Sequence, residues 1–101
     1  MWHLSYRPEV EDDVVAAVAW YDDKRHGLGD EFLSEYLAAI RRIRDNPLQF
    51  AIAANGLRPC RLKRFTYIVH FDVNGNDILV VALMAGGRDD SAFMHRRGYF
   101  R

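Results

Sequence analysis

The sequence has one cysteine, Cys60, three prolines and no net charge, and its apolar residues never run long. A lone thiol cannot close a disulfide within the chain, and Cys60 has no partners at zinc spacing. A reducing cytoplasm is therefore the expected compartment, and neither metal nor cofactor is expected. No apolar run approaches the ~20 residues a membrane helix needs. The opening Met1-Trp2-His3-Leu4-Ser5-Tyr6-Arg7-Pro8 lacks the apolar stretch of a secretion signal. What is present is ordinary globular material: 50% hydrophobic and 28% charged residues in a chain of 101. That composition excludes a disordered chain, and the length supports one domain over 1–101 with a single core. Residues 89–101 are read as a candidate mobile tail.

The zero charge is a sum of unlike halves. Residues 1–57 carry 6 basic and 10 acidic side chains, a balance of −4. Residues 58–101 carry 8 basic and 4 acidic ones, a balance of +4. A neutral total at first argues against a nucleic-acid partner, but such a split can focus field on one face.

Trp2 to Tyr6 reads as a first strand, with Trp2, Leu4 and Tyr6 on one face at period two. A helix over 8–25 follows. Pro8 suits its first position, and Glu9, Glu11, Asp12 and Asp13 suit the positive end of its dipole. Val10, Val14, Val18 and Tyr21 make its apolar stripe, and Gly27 stops it. A second helix starts near Gly29 or Asp30, carries Phe32, Tyr36, Ile40 and Ile43 inward, and breaks at Asp45-Asn46-Pro47. The short link makes the two an antiparallel αα-hairpin. Three strands complete the chain: Arg58 to Arg64, then Tyr67 to Val73, then Ile78 to Ala85. Asn74-Gly75-Asn76 signals a hairpin, and the unbroken apolar run Ile78 to Ala85 signals a central strand covered on both faces. A short helix through Phe93 and Met94 is expected in the basic, aromatic end. The order is β-α-α-β-β-β, an α+β fold: an N-terminal strand, the helix hairpin, then an antiparallel three-stranded meander.

That order resembles the RelE/ParE superfamily of toxins from type II toxin–antitoxin systems. The words that carry the resemblance are Trp20-Tyr21, Gly27-Leu28-Gly29-Asp30-Glu31-Phe32, and Ile40, Ile43 with Asn46-Pro47. Arg61-Leu62-Lys63-Arg64-Phe65-Thr66-Tyr67 follows, with Thr66 where the family has proline, and then Arg88-Asp89-Asp90. The long acidic first helix and the Gly-Leu-Gly-Asp-Glu-Phe junction look closer to ParE than to RelE. The resemblance implies a toxin held inactive by a cognate antitoxin. It implies DNA gyrase as target on the ParE side, or metal-free cleavage of ribosome-bound messenger RNA on the RelE side.

The residues must choose between an inhibitor and a nuclease. Metal-free RNA cleavage needs a base, an acid and cations for the phosphorane charge. Arg61 and Lys63, on one face of a strand with a rise of ~3.3 Å per residue, suit a phosphate. The resemblance adds Arg88 as a further cation, and His95 or Tyr99 as base or stacking group. The position where nuclease members often have histidine is Ala85. The plainer expectation is a solvated basic face of Arg58, Arg61, Lys63, Arg64 and Arg88 that pairs with an acidic antitoxin segment, with Trp20 as an accessory contact. Helix geometry sends one of Trp20 and Tyr21 to the core. His70 is expected to be packed or solvent-facing, His3 and His26 are weaker candidates still, and Cys60 an inert core residue. The acids from Glu9 to Asp13 are expected to serve the helix end.

Overall fold

The computed structural model describes residues 1–87, 93, 95 and 96. Met94 and most of the tail lie outside the described residues, so the expected helix through Phe93 and Met94 is described only at Phe93, which is buried.

β1 (His3–Tyr6) leads into α1 (Glu9–Lys24) and α2 (Leu28–Asp45), and a short 3₁₀ turn covers Pro47–Gln49. β2 (Arg58–Arg61), β3 (Tyr67–Asn74) and β4 (Asp77–Ala85) follow. The four strands form one sheet in the order β1-β4-β3-β2. The meander is antiparallel, and β1 joins it parallel to β4. A parallel partner needs a crossover, which the helix hairpin supplies. The α+β reading and its element order are those of the molecule. Among the described residues no helix is long and apolar enough to cross a membrane.

The hairpin packs on one face of the sheet. Phe32, Tyr36, Ala39, Ile40 and Ile43 of α2 are buried, as their spacing requires. In α1 the deeply buried pair is Val10 and Ala17, while Val14, Val18 and Tyr21 pack at the edge of the core. Ala17 escapes a stripe read from large side chains, because its contribution is closeness rather than area. Tyr6, expected inward beside Trp2 and Leu4, is instead 46% exposed at the end of an edge strand.

The junction between the helices has no cap of its own, since Gly27 stands at the N-cap position with φ 89. Asp22 supplies the missing acceptor from α1: its Oδ1 takes the N–H of Gly27 at 2.9 Å and of Gly29 at 3.2 Å. The turn brings the helices so close that a Cβ on Gly29 would lie 2.7 Å from the Val18 carbonyl oxygen. Alanine is the better helix former by about 1 kcal/mol. Gly29→Ala nevertheless should destabilise the chain by about 1–3 kcal/mol, because the helices must part. A urea midpoint unchanged or raised in that variant would contradict the close approach.

β4 is covered on both faces, as its apolar run implies. Ile78, Val80 and Leu83 face the helices, while Val81 and Ala82 pack with Leu57 and Phe93 on the opposite side. Val80 and Leu83 share a face because the ladder slips: His70 pairs with Ala82 and Phe71 with Val80, leaving Val81 as an extra residue. The β3–β4 turn is closed by Gly75 at φ 61, the residue that its Asn-Gly-Asn signal assigns to it.

One strand is shorter than its alternation suggests. β2 stops at Arg61 rather than Arg64. Leu62 still donates its N–H to the Tyr67 carbonyl at 3.0 Å, but the Lys63 N–H turns away to Glu35 of α2 at 3.1 Å. Arg61 and Lys63 therefore do not stand side by side on a strand face.

Candidate functional site

The bend between β2 and β3 and the end of β4 enclose an open cleft of about 470 Å³. Its walls are residues 61–68 with Gly86 and Gly87. Phe65 and Tyr67 form its apolar side, and both are packed from behind by Phe32, at ring distances of 5.2 and 5.0 Å. The site is thus a loop lip on an aromatic wall anchored in the core.

The basic residues around it divide into committed and uncommitted groups. Arg64 is committed: its guanidinium meets Glu35 at 3.3 Å and Glu31 at 3.6 Å and lies over the Phe65 ring at 5.8 Å. Arg58 is committed too, donating to the Phe50 carbonyl and so tying down the loop before β2. Arg42 of α2 donates to the Arg61 carbonyl at 2.9 Å, fixing the backbone that carries Arg61. The side chains of Arg61 and Lys63 are exposed and have no ion-pair partner among the described residues. They are the free cations of the cleft.

Glu35 organises this lip. Partial desolvation pushes its carboxyl up, but the Lys63 N–H and Arg64 more than offset that, holding it below the ordinary 4.5. A carboxyl depressed in the fold contributes stability that is complete above its unfolded value and is lost as pH falls through its folded value. The stability difference between the parent and Glu35→Gln should therefore shrink as pH is lowered from about 6 to about 3. Urea melts at both ends of that range measure it, and a constant difference would disprove the role.

The remaining sequence candidates fall elsewhere. Arg88 and Tyr99 lie outside the described residues. His95 is exposed and is felt electrostatically by Glu9, at the start of α1. Trp20 is 53% exposed on α1, edge-on to Tyr21 and under the Lys24 ammonium at 4.1 Å. Tyr21 is the inward member of that pair, stacked on Phe32 at 5.1 Å. His70 is buried with its ring 4.6 Å from that of Phe93. Cys60 is fully buried, and burial pushes its thiol up, against a smaller opposite pull from Arg42. A raised thiol is a poor nucleophile at neutral pH. Among the described residues no group of three His, Cys, Asp or Glu is placed to hold a metal.

Sequence reasoning missed Glu35 and Tyr67 as parts of the site. Glu35 falls on the polar side of a helical stripe, and nothing local marks it as the residue that will meet a bend 28 positions later. Tyr67 was legible as a strand residue but not as a wall of the cleft.

A strand, a helix hairpin that crosses over to a parallel partner strand, and a three-stranded antiparallel meander make up the α+β fold of the chain. No family model and no curated protein matches the chain. Among solved structures it is similar to a chain of the chromosomal ParDE TA system from P. aeruginosa, with a TM-score of 0.75 at 17% identity. The likeness covers 85% of this chain and 97% of that one.

Proposed function

We propose that the chain is the toxin of a type II toxin–antitoxin system, ParE-like, which poisons a protein target and is neutralised by a cognate antitoxin. The reading rests on the cleft in this fold: Arg61 and Lys63 stand free over an aromatic wall, while the neighbouring Arg64 and Arg58 are already bound. Free cations on a rigid lip attract an acidic segment and steer its approach. DNA gyrase is the target that the ParE-like words suggest, and the partner is an antitoxin whose acidic stretch covers the cleft.

The RelE-like alternative is a ribosome-dependent endoribonuclease using Arg61, Lys63 and Arg88 with His95 or Tyr99. Two cations beside Tyr67 favour it, since they could hold a phosphate. His95, one of its two proposed bases, lies toward Glu9 and the start of α1. That placement favours the binding reading.

Expression of the chain alone separates the two. Filamented cells with an induced DNA-damage response, and purified chain that blocks gyrase supercoiling, support the ParE-like reading. Immediate translation arrest with trimmed ribosome-bound messenger RNA supports the nuclease. Normal growth at high expression would sink the toxin reading altogether.

A further inference from the structure

α2 grips the bend after β2 at two points. Glu35 accepts the Lys63 N–H at 3.1 Å, and Arg42 donates from Nη2 to the Arg61 carbonyl at 2.9 Å. The grips lie about two helical turns apart, and Glu35, Ala38, Arg42 and Asp45 recur at helical spacing along one face of α2. Between the grips stands Ala38, which has only a methyl to fill the space. The result is a pocket of about 400 Å³ between helix and bend, lined by Glu35, Ala38, Arg41, Arg42, Asp45 and Lys63.

The charges around this pocket are unevenly spent. Glu35 is occupied by the Lys63 N–H and by the Arg64 guanidinium at 3.3 Å. Arg42 is held by the Arg61 carbonyl. Arg41 and Lys63 are exposed and make no ion pair among the described residues, and Asp45 makes none either. Lys63 lines both this pocket and the basic cleft, and among the described residues it is what the two share. Arg61 on the cleft side, Lys63 on the crest and Arg41 on the helix side therefore form a series of uncommitted cations across the lip.

We propose that the pocket over Ala38 is a second carboxylate site, in which Arg41 and Lys63 bind one acidic side chain of a peptide whose next carboxylate meets Arg61 in the cleft. A carboxylate offers two oxygens, one for the guanidinium and one for the ammonium, and both bonds are charge-assisted. The rim decides the class of partner. Glu35 and Asp45 border the pocket, and a nucleic-acid backbone, charged at every unit, has to pass them at a like-charge cost. A peptide sets its carboxylates only where the cations stand. The site rests on the antitoxin reading only for the biological source of that peptide.

The test uses the full chain and a synthetic peptide of glutamates separated by glycine and serine, followed by NMR. The Ala38 methyl reads the pocket and the Gly86 amide reads the cleft. Both signals should shift with one affinity as the peptide is added. Arg41→Glu should weaken binding at least about fivefold and silence the Ala38 methyl while the Gly86 amide still responds. Ala38→Leu fills the pocket with every charge in place and keeps a good helix former. It should weaken binding as well. Asp45→Asn removes a like charge from the rim and should tighten binding about twofold. An Ala38 methyl unmoved at saturation, undiminished affinity in Arg41→Glu or Ala38→Leu, or weaker binding by Asp45→Asn would each overturn the proposal. So would a single-stranded RNA of equal charge that moves the Ala38 methyl at lower concentration than the peptide. A peptide that moves Gly86 alone sinks the Ala38 site and leaves the cleft reading standing. Growth is scored separately: a chain that passes every binding test but leaves growth normal on expression sinks the toxin reading alone.

Discussion

Replacing Asp13 by alanine should cost about 3–5 kcal/mol, the range for removing one member of a buried ion pair. Its carboxylate is 9% exposed and its partner Arg96 8%. The two make a bidentate pair, Arg96 Nη1 to Asp13 Oδ2 at 2.6 Å and Nη2 to Oδ1 at 2.9 Å. That hydrogen bonding pushes the Arg96 guanidinium still further above its ordinary value. The pair also caps the edge of β4 beyond its pairing with β1, through the Leu83 N–H and the Val81 carbonyl. Asp13→Ala leaves a guanidinium buried without its counter-charge and a backbone N–H without its acceptor, and both desolvation costs remain. For a domain of this size the loss corresponds to a fall in melting temperature of more than about 10 °C.

A second variant separates the pair's geometry from its charge. Asp13→Leu combined with Arg96→Met removes both charges and keeps apolar volume. It should be more stable than Asp13→Ala, since an apolar replacement avoids the lone buried ion. The Leu83 N–H still loses its acceptor, so recovery should be incomplete. If Asp13→Ala loses less than about 1 kcal/mol in urea, the pair behaves as a surface bridge and the edge-capping account is wrong.

Asp13 also shows where sequence reading stops. Beside Glu9, Glu11 and Asp12 it looks like one more acid at the start of a helix, and for three of the four that reading holds no surprise. What distinguishes Asp13 is a partner 83 residues away in the basic end of the chain. Local patterns carry spacing and capping, so both helices, the hairpin turn at Gly75 and the doubly covered β4 were legible. They carry no information about which polar side chain will meet which distant backbone group. Glu35 escaped for the same reason, and with it the early end of β2, because the Lys63 N–H goes to a carboxylate instead of continuing the strand. The charge split along the chain was legible, yet folding redraws it. Arg42 of the acidic half holds the Arg61 backbone, and Glu31 and Glu35 of that half neutralise Arg64. Only after those pairings do Arg61 and Lys63 stand out, among the described residues lining the cleft, as the cations left for a partner.

Phe32→Ala should destabilise the chain by about 3–5 kcal/mol, the range for truncating a buried aromatic. Phe32 is fully buried, stacked on Tyr21 at 5.1 Å and edge-on to Phe65 and Tyr67 at 5.2 and 5.0 Å. The same ring therefore joins α1, α2 and the wall of the cleft. Its removal leaves a cavity that the neighbours can fill only by moving Phe65 and Tyr67 inward, away from the lip they support. Phe32→Leu retains part of the volume and should lose less, while forfeiting the ring geometry worth about 0.5–1.5 kcal/mol per aromatic pair. A double-mutant cycle pairing Phe32→Leu with Tyr67→Leu reads that coupling directly. A coupling near zero would mean that the cleft wall stands independently of the core. A coupling in the aromatic range would tie the shape of the lip beneath Arg61 and Lys63 to one side chain on the opposite side of the wall. Stability and partner binding would then fall together along the series from phenylalanine through leucine to alanine.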